Sequence, residues 1–287
     1  MTGAHRPAVS QRRVLAEIRE AREALHLTQK DVAEALDWSV SKLIRIEAGT
    51  VGLTITDLKA LLLHYGITDR DRVETYVTMT KAGRQPGWWS EYKNTSSPVF
   101  LKFLGLESAA FIIRQYQMQL VPGLLQTPEC TRSLVSKSTG DPEVQARRIK
   151  LRASRQKCLM DLDKEHFFIL DESVLHRRLT DVNSWRAQLH RLREVSRQSN
   201  VTVQILPFEA GWTDGMQSSF ELLQLSEQAD DLFVTLSQPN GDLFFDDVTG
   251  AEKAAQFIRI FHRLEDAALT PGQTAEFIDK MLLKPAD

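Results

Sequence analysis

Hydrophobic positions in the first 80 residues recur with the period of short helices. Val14, Leu15, Ile18, Ala21 and Leu25 fall on one face over residues 9–25. Val32, Ala33 and Leu36 do the same over residues 29–36, and Leu43 and Ile46 over a third helix that opens after Ser39 and stops at Gly49. The start signals agree with the period. Thr28 with Asp31 three residues on is a capping box, Ser39 is an N-cap, and Thr54 or Thr56 caps a fourth helix that ends before Gly66. A fifth helix runs from about Asp69 to Lys81. The expectation is an all-α unit of five helices around one small core.

Residues 82–98, AGRQPGWWSEYKNTSSP, interrupt this pattern with Gly, Pro and Ser. They mark a linker between a first domain, 1–81, and a second, 99–287. Trp88 and Trp89 lie inside it; adjacent tryptophans bury at least one ring, either as a packing contact or as a platform for a ligand. Beyond residue 100 short β-rich runs appear: FIIRQYQ (111–117), HFFIL (166–170), NVTVQILPF (200–208), SFELLQL (219–225), LFVTL (232–236) and DLFFD (242–246). Helical material fills 127–164, an amphipathic helix covers 181–199, and two helices close the chain from about Val248 and Gly272. Strands mixed with helices, with a late run of strands joined by turns such as PNGD, indicate an α+β second domain.

Composition narrows the function classes. Hydrophobic residues make up 42% of the chain, which is enough for packed cores, and no apolar stretch is long enough to span a bilayer. The N-terminal MTGAHRPAVSQRR has no apolar signal-peptide region, so a cytoplasmic protein is expected. Cys130 and Cys158 lack a CxxC partner and are expected to be reduced thiols. The net charge of −2 hides an asymmetry: residues 1–80 balance, 81–199 carry 20 basic against 12 acidic residues, and 200–287 carry 5 against 15. Uniform coating of nucleic acid is excluded; any such contact is a local footprint away from the acidic tail.

Little in the chain suggests catalysis. The seven histidines are scattered without ligand spacing, and no cofactor or metal is expected. Asp171-Glu172, Asp230-Asp231 and Asp246-Asp247 are adjacent carboxylates that point apart, and GWTDG lacks phosphate-loop spacing. Cys158 lies near several cations, which leaves a redox-responsive thiol beside the inert one. RRIKLRASRQK, 147–157, holds six Lys/Arg in eleven residues; it is a solvated face pairing with the acidic C-terminal region, or a second DNA contact.

The stretch LTQKDVAEALDWSVSKLIRIEAG, 27–49, has a layout suited to DNA. Two helices meet at a tight turn, Asp37-Trp38-Ser39, and the second enters the major groove in that arrangement. With the apolar set inward, Val40, Ser41, Ile44 and Arg45 face outward near the start of the second helix and are the expected base contacts. Gln29, Ser39, Lys42 and Thr50 are the expected phosphate contacts. A helical bundle without a DNA role is the alternative that the spacing alone leaves open.

This stretch resembles the lambda-repressor-like (XRE-type) helix-turn-helix family over about residues 10–67, through the LTQ start, Ala33 and the IEAG close. Val40 and Ile44 are apolar where that family commonly has polar residues. The resemblance implies a structural ion pair between Arg22 and Glu47. A second resemblance, on VPGLLQT and VTVQILPFEAG above all, is to the C-terminal domain of unknown function found in WhiJ-like and antitoxin-like regulators of filamentous bacteria. It implies a transcriptional regulator, usually a repressor, modulated by a small partner protein encoded nearby.

The leading expectation is a regulator that binds double-stranded DNA as a homodimer, reading an operator built as an inverted repeat, without a membrane role. The alternative is an antitoxin-like adaptor in which partner binding is primary and DNA binding autoregulatory. A third possibility is an enzyme housed in residues 100–287, for which no motif speaks.

Overall fold

A computed structural model of the protein describes residues 7–83, 87–226, 231–236 and 243–283. The chain divides into two units, residues 1–109 and 110–287.

The first unit opens with α1 (Pro7–Ala24), α2 (Gln29–Ala35), α3 (Val40–Glu47), α4 (Ile55–His64) and α5 (Arg70–Gly83). Local chemistry sets their starts. Thr28 and Asp31 exchange bonds, the Asp31 N–H to Thr28 Oγ1 at 3.2 Å and the Thr28 N–H to Asp31 Oδ2 at 2.8 Å. Ser39 and Thr54 accept from the Lys42 and Asp57 N–H groups at 3.2 and 3.0 Å. The helices enclose Val14, Leu15, Ile18, Val32, Leu43, Ile46, Leu58, Leu61, Leu62 and Tyr65. Leu25 departs from the expected inward set. It lies just past α1 and is exposed, because His26 adopts a left-handed φ of 56° and turns the chain. Leu27, beyond that turn, packs against the core instead.

After α5, Trp88–Tyr92 form a 3-10 turn, and α6 (Pro98–Ala109) completes the unit. Trp88 meets Trp89 edge to face at 6.0 Å and Tyr92 at 6.2 Å. A Cβ on Gly87 would overlap the Trp89 ring. α6 packs on α1 and buries Phe103, Leu104, Gly105, Leu106 and Glu107 in succession. A helix buried at consecutive positions has no amphipathic period, so hydrophobic spacing does not announce it.

In the second unit β1 (Ile112–Gln117) is followed by α7 (Pro128–Ser138) and α8 (Pro142–Gln156). Next come β2 (Glu165–Asp171), α9 (Glu172–His176), α10 (Val182–Val195) and β3 (Val201–Leu206). Then β4 (Phe220–Gln224), β5 (Leu232–Leu236) and β6 (Leu243–Asp246) precede α11 (Asp247–Ala267) and α12 (Pro271–Leu283). The sheet order is β3-β2-β1-β4-β5-β6. β1, β2 and β3 are parallel and joined by helical crossovers; β4, β5 and β6 add on antiparallel to β1's other side. The PNGD turn lies outside the described residues.

Two cores result. Phe168, Leu170, Val203 and Ile205 pack with Trp185, Leu189 and Leu192 of α10 and Ile278 of α12. Tyr116, Phe220, Leu222 and Val234 pack with Ala254, Phe261 and Leu264 of α11. A bidentate pair, Arg193 to Asp279 at 2.8 and 3.0 Å, ties α10 to α12. The whole is α+β, with an all-α first part. Among the described residues no helix is long and apolar enough to cross a membrane.

Gly49 and Gly66 end α3 and α4 with φ of 66° and 72°. A Cβ on Gly49 would also sit 3.2 Å from Leu15 Cδ1, whereas one on Gly66 meets nothing within 4 Å. Gly66→Ala is expected to cost about 1–2 kcal/mol for the left-handed backbone alone. Gly49→Ala is expected to cost more, because Leu15 must also move. Equal losses in denaturant unfolding would show that Leu15 does not crowd the site.

Candidate nucleic-acid interface

The α2–turn–α3 pair is built from opposing demands on one short stretch. Val32 and Ala33 on α2, and Leu43 and Ile46 on α3, are buried and set the crossing of the helices. Between them Asp37 adopts φ 55°, a left-handed conformation that a short acidic side chain tolerates. The Trp38 N–H then returns to the Ala33 carbonyl at 2.8 Å and closes the turn. Ser39 restarts the chain as the cap of α3. Val40, Ser41, Ile44 and Arg45 are left outward, all exposed. Val40 and Ile44 are 37% and 44% accessible and one helical turn apart, an apolar pair facing water beside a cation.

Beneath this face sits a buried ion pair. Arg22 Nε and Nη2 donate to Glu47 Oε1 and Oε2 at 2.8 and 3.1 Å, and both residues are only 7% exposed. Arg22 Nη1 also donates to the Leu27 carbonyl at 2.8 Å. The guanidinium therefore fixes α1, the α1–α2 turn and the end of α3 together. Its pKa is raised, first by the hydrogen bond to Glu47. Tyr65, nearby, is pushed well up, first by burial and then by the Glu47 charge.

The four expected phosphate contacts occupy different surroundings. Gln29 turns inward, its side-chain amide donating to Glu47 Oε2 at 2.7 Å. Lys42 Nζ donates to Asp57 Oδ1 at 2.6 Å and lies 3.7 Å from the centre of the Trp38 ring. Ser39 Oγ is engaged by its cap bond, and Thr50 Oγ1 donates to the Arg45 carbonyl at 3.1 Å. The Arg45 guanidinium folds back on α3, its Nε donating to the Ser41 carbonyl at 3.0 Å. Lys102, which the sequence did not single out, places Nζ 3.1 Å from the Ala48 carbonyl at the end of α3, a cation at a helix C-terminus. No local signal links residues 54 apart in the chain.

Residues 13–75 match a helix-turn-helix domain. Residues 100–280, more than half of the chain, match a domain of unknown function, DUF5753. The chain belongs to the DUF5753 family. No curated protein and no solved structure matches it. The helix-turn-helix match supports a DNA-binding regulator, with the DUF5753 domain as its larger part.

The DUF5753 residues singled out by sequence are dispersed. Asp171 caps α9 through the Ser173 N–H at 2.9 Å. Its neighbour Glu172 accepts from the Phe208 N–H at 2.9 Å and meets His176 Nε2 at 3.0 Å. Cys158 lies in the 3-10 turn Lys157–Met160, and Cys130 is buried, its thiol pKa raised by burial. Asp230 and the side chains of Asp246 and Asp247 lie outside the described residues. Among the described residues no three His, Cys, Asp or Glu side chains gather as a metal site.

Two outcomes test this geometry. Arg22→Met and Glu47→Leu are each expected to destabilise the helix-turn-helix unit by about 3–5 kcal/mol, because each strands a buried charge. The double variant should recover part of that loss in unfolding experiments; additive losses would mean that the charges do not act as a pair. Asp57 is the second case. Burial works to raise its pKa, but hydrogen bonds from Lys42 and Thr54 outweigh it and hold the carboxyl below its ordinary 3.8. A depressed pKa contributes stability above the unfolded value, lost as pH falls from there through the folded one. Asp57→Asn should therefore lower stability by about 1 kcal/mol at neutral pH, with Lys42 partly exposed, and flatten the decline below pH 3.8.

Proposed function

We propose that this protein is a sequence-specific DNA-binding transcriptional regulator, acting as a repressor in the cytoplasm on nucleoid DNA. The observation that carries the reading is the outward face of α3. Val40, Ser41, Ile44 and Arg45 are exposed on a helix whose other side is locked by Leu43, Ile46 and the Arg22–Glu47 pair. Rigid support beneath an exposed mixed face is what major-groove reading needs. Arg45, released from the Ser41 carbonyl, reads a guanine through O6 and N7, and Val40 and Ile44 pack on thymine methyls. Ser39, Thr50 and the first turn of α2 at Gln29 approach phosphates. Lys42 does so by exchanging Asp57 for the DNA backbone, which makes its contribution depend on that competition.

In this reading residues 1–81 form the DNA-binding domain and 99–287 the regulatory and dimerisation domain, with 82–98 between them, although α6 at the start of the latter packs on α1 in the first compact unit. Two heads on a homodimer read an inverted repeat about one helical turn apart. The DUF5753 domain binds rather than catalyses, and the resemblance to WhiJ-like regulators points to a small protein encoded nearby as its effector. By linkage, a partner that disfavours the DNA-bound head spacing weakens DNA by the same factor that DNA weakens the partner.

The adaptor reading, with partner binding primary, is favoured by one observation. Phe208 and Trp212, 58% and 73% accessible, expose large apolar surface in the segment after β3. Co-purification of a small partner whose loss leaves operator affinity unchanged supports it.

Arg45→Ala is expected to cost about 1–3 kcal/mol in operator binding and to relax selection at one base pair. Lys42→Ala should weaken all sequences alike and lower the salt slope by about one. Gel-shift titrations with operator and random duplexes measure both; no change in either variant removes α3 from the interface.

A further inference from the structure

Val40 and Ile44 are the large apolar side chains on the outward face of α3, and Leu43 and Ile46 of the same helix already fill the core. The exposed pair is therefore surplus to folding. Its outward neighbours are Ser41 and Arg45, the latter resting on the Ser41 carbonyl at 3.0 Å.

The chemistry of this face selects among base edges. In the major groove an apolar side chain is matched by a C5-methyl group, and an arginine fork by guanine O6 and N7. Telling cytosine N4 from thymine O4 takes an acceptor such as Asp or Glu, and adenine takes Asn or Gln. Positions 40, 41, 44 and 45 hold none of these four residue types. Serine bonds to any base. Thymine and 5-methylcytosine carry the same methyl at the same ring position. The face can thus detect the methyl but has no group that separates its two carriers.

The spacing fits the duplex. Four residues of helix rise about 6 Å, and stacked bases about 3.4 Å, so Val40 and Ile44 span about two base-pair steps. Arg45 directly follows Ile44, which suits a guanine next to the methylated base. A methyl offers neither charge nor hydrogen bond, so reading it depends on close packing. The anchorage of α3 by Leu43, Ile46 and the Arg22–Glu47 pair supplies a rigid surface for that.

We propose, resting on the DNA-binding reading above, that Val40 and Ile44 make α3 a reader of C5-methyl groups. It accepts 5-methylcytosine in place of thymine beside a guanine, so cytosine methylation of a target site tightens binding. The regulating signal is then a covalent mark on the DNA.

The test uses the full chain and a duplex that it enriches from a random pool. Each thymine of that duplex is replaced in turn by deoxyuridine, which removes only the methyl. Affinity is expected to fall about fourfold at each methyl that Val40 or Ile44 covers, the effect of burying one carbon. At those positions a 5-methylcytosine–guanine pair is expected to bind about fourfold tighter than cytosine–guanine. Val40→Ala and Ile44→Ala, at exposed sites, are expected to fold normally and each to lower the thymine-to-uracil ratio at its own position. Equal binding of thymine and uracil at every position, or of methylated and unmethylated cytosine, overturns the inference and leaves the DNA-binding reading standing. So does a thymine-to-uracil ratio that neither variant changes. A chain that prefers no duplex over the random pool overturns the DNA-binding reading and this inference with it.

Discussion

The buried pair of Arg22 and Glu47 is the constraint on which the helix-turn-helix unit rests. Its two bonds join the end of α1 to the end of α3, and the third Arg22 bond, to the Leu27 carbonyl, fixes the turn between α1 and α2. Glu47 also receives Gln29, so the start of α2 is fastened to the same carboxylate. Each element that decides where α3 points thus ends on one ion pair. Such a pair adds little net stability over apolar packing, but a misplaced partner leaves a stranded charge, so it penalises every other arrangement of the helices.

That rigidity gives the exposed face of α3 its meaning. Val40 and Ile44 face water on a helix that cannot turn them inward, since Leu43 and Ile46 already fill the core. The cations around the face are held in reserve: Arg45 rests on its own helix, and Lys42 on Asp57 and Trp38. In the proposed reading these charged groups exchange partners on binding DNA rather than order from disorder.

The DUF5753 domain distributes its charges differently. Its parallel half, β1 to β3, needs helical crossovers, and α8 is one of them. A crossover helix buries one side, yet α8 has no fully buried residue and sets an arginine against its loop. The basic and acidic segments of the sequence meet at Arg193–Asp279, Arg263 pairs with Asp214 inside the acidic segment, and Arg148 and Arg152 of α8 bond to neutral oxygens. Net charge by segment does not say which cation finds which carboxylate.

What the sequence determined is local. Thr28, Ser39 and Thr54 cap helices because a side-chain oxygen reaches an N–H two or three residues away, and the Leu43–Ile46 spacing points inward on any α-helix. The six described strands lie within or beside their β-rich runs for the same reason: a short apolar run bounded by turns has few other solutions. Tertiary structure decided the rest. It turned Gln29 toward Glu47, 18 residues away, paired Lys42 with Asp57, 15 away, and ordered the strands 3-2-1-4-5-6. Hydrophobic spacing missed α6, whose consecutive buried positions have no period to read. These outcomes depend on which side chains the packed backbone brings within a few ångströms, and spacing along the chain carries no record of that distance.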